Sequence, residues 1–388
     1  MKLSVVAFEA NAGDSLEEQV SNCLDQLNVF ISNASFTLKN IISINFFLSA
    51  GNAKVYHDLT RKLGKCLPDQ IRTGVPVAFL AQAPANGAFV SSEVYFIANL
   101  GDSEVIAKTE EGNLYLVIQN EKGKKLVIAN GIGRENDNKS ITEDAEKVFG
   151  VMEKILQAEG LDFSHIFRQW NYIEDIIVVE SNERNSQHYQ QFNNVRSNYY
   201  SRANFKQGYP AATGIGIRAG GVMVSFFAAS PVGYRTLAVE NPLQKAAFEY
   251  TEKVLVGDAE YRGSSKCTPK FARAKFVANN ESEQVFISGT ASIREEVTVG
   301  ENNIARQTKI TLDNIQNLIC QETLSALEKV DRELPQIEFI RVYIKYPEDY
   351  LVVKEICERH LPGVPGIYVV SDMCRENLLV EIEALATA

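Results

Sequence analysis

This chain of 388 residues is short of the residues that mark several protein classes. Its four histidines (His57, His165, His188, His360) are dispersed and show no metal-ligand spacing, so no metal centre is expected. Its six cysteines (Cys23, Cys66, Cys267, Cys320, Cys357, Cys374) contain no Cys-x-x-Cys pair. They read as reduced thiols of a cytoplasmic protein, not as a disulfide frame. Positive charge is in deficit, 39 Lys and Arg against 49 Asp and Glu, for a net charge of −10. That balance argues against a nucleic-acid partner, which needs a basic face. Long apolar runs are missing as well. Residues 1–9 carry no long apolar core or cleavage site, so no export signal is expected. Residues 210–230 are too glycine-rich, and too broken by Arg218, for a membrane span. Gly214-Ile215-Gly216 resembles a dinucleotide fingerprint only superficially, because no βαβ pattern and no acidic residue at the usual distance follow it; no cofactor is implied.

What is there describes a folded protein with a sizeable core. Apolar residues make up 45% and charged residues 23%, and the length suggests two or three units. Three segments repeat one order of signals: amphipathic helix, apolar strand, acidic turn, second helix, Gly-x-Pro, strand. In the first, Ser15 and Glu18 form a capping box before a helix bearing Val20, Cys23, Leu24, Leu27, Phe30 and Ile31. A strand at 41–48, a helix at 53–63 and Gly74-Val75-Pro76 follow. In the second, Ser140 and Glu143 cap a helix, with a strand at 167–173, a helix through Tyr189, Phe192 and Val195, and Gly208-Tyr209-Pro210. The third has a helix from Ile304 to Ile319, a strand at 339–344, a helix at 350–359 and Gly363-Val364-Pro365, with a weaker capping signal. The unit this predicts is α+β, a mixed sheet with helices on one face.

The C-terminal stretch, from Cys374-Arg375 to Glu381-Ile382-Glu383, alternates strictly. Leu378, Val380, Ile382 and Ala384 take one face; Leu379, Glu381, Glu383 and Leu385 take the other. One reading makes the two glutamates the wet face of an edge strand. The other makes Glu381, among leucines, a carboxyl that keeps its proton near neutrality, as a general acid must.

The repeated unit resembles the small trimeric proteins of the RidA (YjgF) superfamily, whose ligand sites lie between subunits. Three such units in one chain would form a pseudo-trimer. The expected division is an N-terminal, divergent unit at 1–130 and a C-terminal region at 131–388 made of two units, about 131–235 and 280–388. An imine deaminase of that superfamily would carry an arginine two residues after each proline. The chain has Ala78, Ala212 and Ile367 there, which disfavours that activity.

Over most of 165–388 the chain is similar to the chorismatase family. The resemblance rests on Arg168-Gln169-Trp170-Asn171-Tyr172-Ile173, Tyr189-Gln190-Gln191-Phe192-Asn193-Asn194-Val195-Arg196, and Pro210-Ala211-Ala212-Thr213-Gly214-Ile215-Gly216. Asn241-Pro242-Leu243-Gln244 with Tyr250, Phe271-Ala272-Arg273-Ala274, Ser288-Gly289-Thr290-Ala291-Ser292, and Cys374 through Glu381 complete it. The resemblance implies an enzyme that cleaves chorismate and releases pyruvate, with Glu381 as catalytic acid and Tyr189, Arg196, Tyr250 and Arg273 as substrate contacts. Arginine forks suit the two carboxylates of chorismate. Tyr189 and Arg196, two helical turns apart, share a face, a spacing that a core tyrosine and a snorkelling arginine would also show. Gly289, enlarging the pocket, and Cys374 match the branches of the family that form hydroxybenzoate. 3-Hydroxybenzoate, a starter unit for secondary metabolism, is therefore the expected product. Cys374 could be a nucleophile if Arg375 favours its thiolate, or a small buried apolar side chain. The alternatives are a hydrolytic chorismatase giving a dihydroxy-cyclohexadiene carboxylate and a non-catalytic RidA-like protein that binds small acids. The chain is expected to be a monomer. Two departures from the family stand near the expected contacts: a longer stretch at 251–269, and Phe248 in place of a tyrosine.

Overall fold

The architecture comes from a computed structural model that describes residues 1–10, 14–133, 140–181, 186–257, 266–325 and 334–388. The main elements are β1 (Leu3–Glu9), α1 (Leu16–Asn33), β2 (Ile41–Leu48), α2 (Ala53–Cys66), β3 (Val77–Leu80), β4 (Val90–Ile97), β5 (Glu104–Glu110), β6 (Asn113–Gln119) and β7 (Lys125–Ile132). Then come α3 (Ile141–Ala158), β8 (Ile166–Glu174), α4 (His188–Tyr200), β9 (Ala211–Ile217), β10 (Val222–Ala229), β11 (Arg235–Val239), β12 (Ala274–Asn279) and β13 (Ser282–Ala291). α5 (Ile304–Leu318), β14 (Gln336–Ile344), α6 (Tyr350–His360), β15 (Gly366–Val370) and β16 (Val380–Thr387) finish the chain.

Both expected capping boxes close. Ser15 and Ser140 each accept from the backbone N–H three residues on, while Glu18 and Glu143 reach back to the cap. Asn303 caps α5 by accepting from the Arg306 N–H, the signal that looks weakest in the sequence.

Three main sheets result, ordered β1-β4-β2-β3, β9-β8-β10-β7-β6-β5 and β11-β12-β13-β16-β14-β15. Each contains one four-strand pattern: antiparallel, antiparallel, then a parallel pair joined through a helix. The second sheet repeats it as β7-β10-β8-β9 and the third as β13-β16-β14-β15. The fold is thus mixed α+β. Residues 104–132 hydrogen-bond into the second sheet, although the sequence reading put 1–130 with the first unit. The hydrophobic pattern of β5–β7 identifies strands but carries no information about which sheet they join.

Alternation divides the sheets' two faces. On the third, Val285, Ile287, Val342, Ile382 and Ala384 join the core formed with Leu312, Ile315 and Val353 of the helices. The second sheet buries Val224, Phe226 and Ile173 against Phe149, Met152 and Phe192 in the same way. The opposite faces meet one another. Tyr95 of β4, Trp170 of β8 and Phe227 of β10 form edge-to-face pairs with centroids 5.0–5.6 Å apart, and Phe167 packs on Phe286 of β13 at 5.1 Å.

A buried ionic network is set into this junction. Arg341 of β14 forms a fork with Glu93 of β4, its Nε 2.8 Å from Oε2. Its Nη1 lies 3.3 Å from Glu383 Oε1 and donates to the hydroxyls of Tyr172 and Tyr343 at 3.0 Å. Arg168 of β8 reaches Glu383 Oε2 at 2.8 Å. Glu383 also accepts from Trp170 Nε1 at 2.7 Å, Thr213 Oγ1 at 2.6 Å and the Tyr343 hydroxyl at 3.1 Å. Each of the three sheets contributes charged groups, and no group can leave without stranding another. Arg341→Met should therefore cost about 3–5 kcal/mol of unfolding free energy in urea. A loss below about 1 kcal/mol would mean that the network does not hold the sheets together.

Candidate active site

One open cavity is bounded by the second and third sheets and lined by groups from both. About 660 Å³ of space lies in and over it, open solvent included. From the second sheet's side come Gln187, Tyr189 and Gln190 at the start of α4, and Ala212 and Gly214 of β9. From the third come Tyr250, Phe271, Arg273, Gly289, Cys374, Arg375 and Glu381. Six of the seven residues expected at the site thus share one cavity. Tyr250 and Arg273, which nothing in the local sequence brings together, are hydrogen-bonded, Arg273 Nη2 donating to the Tyr250 hydroxyl at 2.7 Å. The same Nη2 donates to the Lys245 carbonyl at 2.7 Å, and Arg273 Nε has no partner.

Arg196, the seventh, does not line this cavity. It is fully buried along α4, donating to Asn193 Oδ1, with its guanidinium 5.4 Å from the Phe192 ring and Nε unpartnered. Sharing a helix face with Tyr189 does not by itself bring Arg196 to the cavity. Phe248 likewise stands back from the cavity, its ring 5.4 Å from that of Tyr209.

Glu381 is 4% exposed, so the wet-edge reading of β16 does not apply to it. Burial, and next the negative charge of Glu383, raise its pKa from 4.5 to about 8, against the opposing pull of Arg168 and Arg273. Glu383, two residues on, goes the other way. Burial alone would raise it, but Arg341 and Arg168, with the Thr213 and Trp170 hydrogen bonds, outweigh burial and hold it below the usual carboxylate range. Two carboxyls on one strand face are thus driven apart, one neutral and one ionised, as general acid chemistry requires.

Gly289 has a sharper role than enlarging the pocket. A Cβ there would lie 2.0 Å from Glu381 Oε1 and 3.0 Å from Thr213 Cγ2. The missing side chain is the space that the acid's carboxyl occupies. Thr213 ties this spot to the ionic network, its Oγ1 accepting from Arg168 and from the Gly289 N–H at 3.0 Å while donating to Glu383. Gly214 is similar: a Cβ would meet the Tyr189 ring at 2.8 Å, so glycine lets that ring lie against β9.

Of the two readings of Cys374, its surroundings favour the small neutral side chain. Burial, then the Glu381 charge, pushes the thiol up to about 12, outweighing Arg375. Arg375 is engaged elsewhere, donating to the Glu296 carbonyl at 2.8 Å with its guanidinium 5.2 Å from the Tyr250 ring. Cys374 is a neutral thiol beside the acid.

Gln187, Gln190, Thr213 and Glu383 went unassigned in the sequence. The first two sit in the helix motif next to Tyr189, and Thr213 within Pro-Ala-Ala-Thr-Gly, so position in a motif was the available signal. For Glu383, alternation marked the position but not its role, since its partners come from distant strands.

A cleft between two sheets with a neutral buried acid and two arginines is a site for an anionic small molecule. Comparison with known proteins agrees with the fold and the motifs. Residues 105–228 match the family model described as chorismatase FkbO/Hyg5-like, N-terminal. A 3-hydroxybenzoate synthase of Streptomyces hygroscopicus is 32% identical over 261 residues, 65% of this chain and 72% of that protein. A chorismatase of the same organism is 30% identical over 230 residues, 58% of this chain and 62% of the relative. A chorismatase crystal structure covers 100% of this chain and 99% of its own at TM-score 0.70 and 20% identity, a likeness of fold. The chain belongs to the chorismatase family and is an enzyme of that kind.

Two outcomes follow without substrate. Because folding raises the Glu381 pKa from 4.5 to about 8, its contribution to stability is complete below pH 4.5 and is lost as pH climbs through 8. Glu381→Gln cannot ionise. Denaturation across pH should show it losing less stability than the parent over that window, by on the order of 5 kcal/mol at pH 9; parallel curves would contradict a protonated Glu381. In Gly289→Ala the Glu381 side chain should leave its present rotamer, a shift that a crystal structure of the variant would show or refute.

Proposed function

We propose that this enzyme cleaves chorismate to pyruvate and a hydroxybenzoate, with 3-hydroxybenzoate the favoured product. The observation that carries this reading is the protonated Glu381 carboxyl inside a cavity that also holds Arg273 and Arg375. Chorismate brings two carboxylates, and the two guanidiniums supply matching charge in the same cavity. Arg273, with one Nη on the Tyr250 hydroxyl and a free Nε, keeps donor capacity for a ligand. Glu381 gives its proton to the methylene carbon of the enolpyruvyl ether. The enol π pair forms the new C–H bond and an oxocarbenium carbon remains. The carboxylate left behind is next to Arg168 and Arg273, which ease its charge. Oxygen attack on that carbon then frees pyruvate. Tyr189, its ring against Gly214, walls the ring pocket, and Cys374 packs beside the acid as a neutral thiol. Arg196, two turns along α4 from Tyr189 and outside the cavity lining, acts on the site through that helix.

The three repeated sheets are read as a RidA-like pseudo-trimer within one cytoplasmic, monomeric chain. The units divide near residues 100 and 235, where the sheet pairing changes. The 3-hydroxybenzoate product rests on Gly289 and Cys374, and the relative named as a 3-hydroxybenzoate synthase supports it.

Incubation of the purified protein with chorismate, with pyruvate and ring products measured, tests this directly. Pyruvate and 3-hydroxybenzoate are expected. Glu381→Gln should slow release by about 10²–10⁴-fold. The parent rate should fall as pH rises through about 8, where Glu381 loses its proton. Pyruvate with a dihydroxy-cyclohexadiene acid would assign the hydrolytic reaction instead, and absence of pyruvate would overturn the proposal.

A further inference from the structure

Lys275 of β12 is fully buried, lies outside the cavity and takes no part in the chemistry above. Its neighbours Ala274, Phe276 and Ala278 join the helix-covered core, so Lys275 takes the other face, towards the second sheet. There its Nζ donates to three consecutive carbonyls, those of Gln207, Gly208 and Tyr209, at 2.8, 3.0 and 3.2 Å. The turn that carries them is shaped for this contact. Gly208 has φ +75°, and a Cβ there would lie 2.4 Å from Ala238 Cβ. Ala238 is the residue paired with Lys275, and its N–H donates to the Gln207 carbonyl at 3.0 Å. Burial lowers the Lys275 pKa, and the Glu240 charge opposes that. Three acceptors at one nitrogen call for three N–H groups, which the ammonium has and the neutral amine lacks.

From this turn a line of contacts runs to the acid. The carbonyl of Pro210, the next residue, accepts from the Ala272 N–H at 2.9 Å. The Ala212 N–H donates to Ser288 Oγ at 2.9 Å, and that hydroxyl donates to the Ala272 carbonyl at 2.6 Å. The Gly289 N–H donates to Thr213 Oγ1 at 3.0 Å, and the Glu381 carboxyl fills the space beside Gly289. Residues 207–213 are thus joined to 272–275 and 288–289 of the third sheet. Lys275 anchors one end of this joint, and Glu381 stands at the other.

Resting on the function proposed above, we propose that Lys275 is a positioning residue for the acid: its ammonium fixes the start of β9 on the third sheet, and β9 keeps the place of the Glu381 carboxyl closed. Without the ammonium, three carbonyls lose their donor and turn towards water. β9 then draws away from Gly289, and solvent reaches Glu381. The charged and titratable groups around Glu381 are Glu383 on its own strand, Arg168 of β8, Arg273 ahead of β12, Cys374 in the preceding turn and Tyr189 of α4. Lys275 is not among them, so it reaches the acid through β9. Arg273 and Arg375 keep their own contacts, with the Tyr250 hydroxyl and the Lys245 and Glu296 carbonyls, none of which involves the turn.

Lys275→Met keeps most of the volume and removes the charge. Pyruvate release from chorismate by the full chain should show kcat at pH 7 lower by at least about tenfold, with KM within about twofold of the parent. The alkaline midpoint of the rate, about 8 in the parent, should move to the acid side by at least about one pH unit as the burial of Glu381 is relieved. A lysine that merely stabilised the fold would leave that midpoint in place. In Lys275→Ala, propylammonium chloride returns an ammonium to the three carbonyls and should restore both rate and midpoint. Tetramethylammonium chloride at equal ionic strength has no N–H and should restore neither. A Lys275→Met enzyme with the parent's kcat, an unmoved midpoint or no alkaline limb overturns the inference and leaves chorismate cleavage intact. Equal rescue by the two salts does the same, as does failure of both variants to fold by circular dichroism. A parent that releases no pyruvate overturns the function itself and this inference with it.

Discussion

The site depends on four buried charges, Glu93, Arg341, Glu383 and Arg168. Burying any one of them alone would cost several kcal/mol, so each exists only because the others come with it. Arg341 bridges the first and third sheets through Glu93 and Glu383, and Arg168 brings in the second. Glu93 and Glu383 occupy matching places: each is opposite the strand residue that follows Ile44 or Ile340, the residues paired just after Pro76 and Pro365. The repeat thus presents two carboxylates to the centre, and two arginines answer them. A third carboxyl on the same strand face, Glu381, finds those guanidiniums already engaged and a negative neighbour two residues away. Keeping its proton is its least costly state. The acid's readiness follows from the arithmetic of charge at the junction as much as from the apolar walls of its own pocket.

Local interactions were the legible part of the fold. The capping boxes at Ser15 and Ser140, the strand at 41–48 and the helices after each acidic turn follow from spacing within a few residues, and they lie where the sequence places them. What the strands pair with was not legible, which is why β5–β7 lie in the second sheet. The candidate site divides in the same way. Alternation singles out Glu381 and Glu383 together but cannot say that one is neutral and the other ionised. That difference is made by Arg168, Trp170, Thr213 and Arg341, which are distant in sequence. Tyr189 was readable from its motif, whereas the absence of Arg196 from the cavity lining was not, since both share one helix face. Gly289 was readable as a missing side chain, but what fills its space is a carboxyl from another strand.

Repetition also shows how the junction of the second and third sheets differs from the other two among the described residues. β7 and β13 each carry a bulge against the neighbouring strand, between the pairs Ile132–Val224 and Ala129–Phe226 in one and Thr290–Ile382 and Ile287–Ala384 in the other. Both bulges place a glycine just before the pair, Gly131 and Gly289. At Gly131 a Cβ would meet the backbone of Val77 and Ala78 at 3.1 Å, so the first sheet closes directly onto the second. Counted from the bulge, Met223 stands where Glu381 stands, and it is fully buried. At the junction of the third sheet with the first, backbone hydrogen bonds from Ala85 to Tyr368 and from Val370 to Ala83 seal the seam. At Gly289 the closest group is instead a carboxyl, with a cavity beside it. One bulge therefore has two outcomes. Where backbone fills the space beside the glycine it is a packing joint, and where a protonated side chain fills it the same joint holds an acid facing open space.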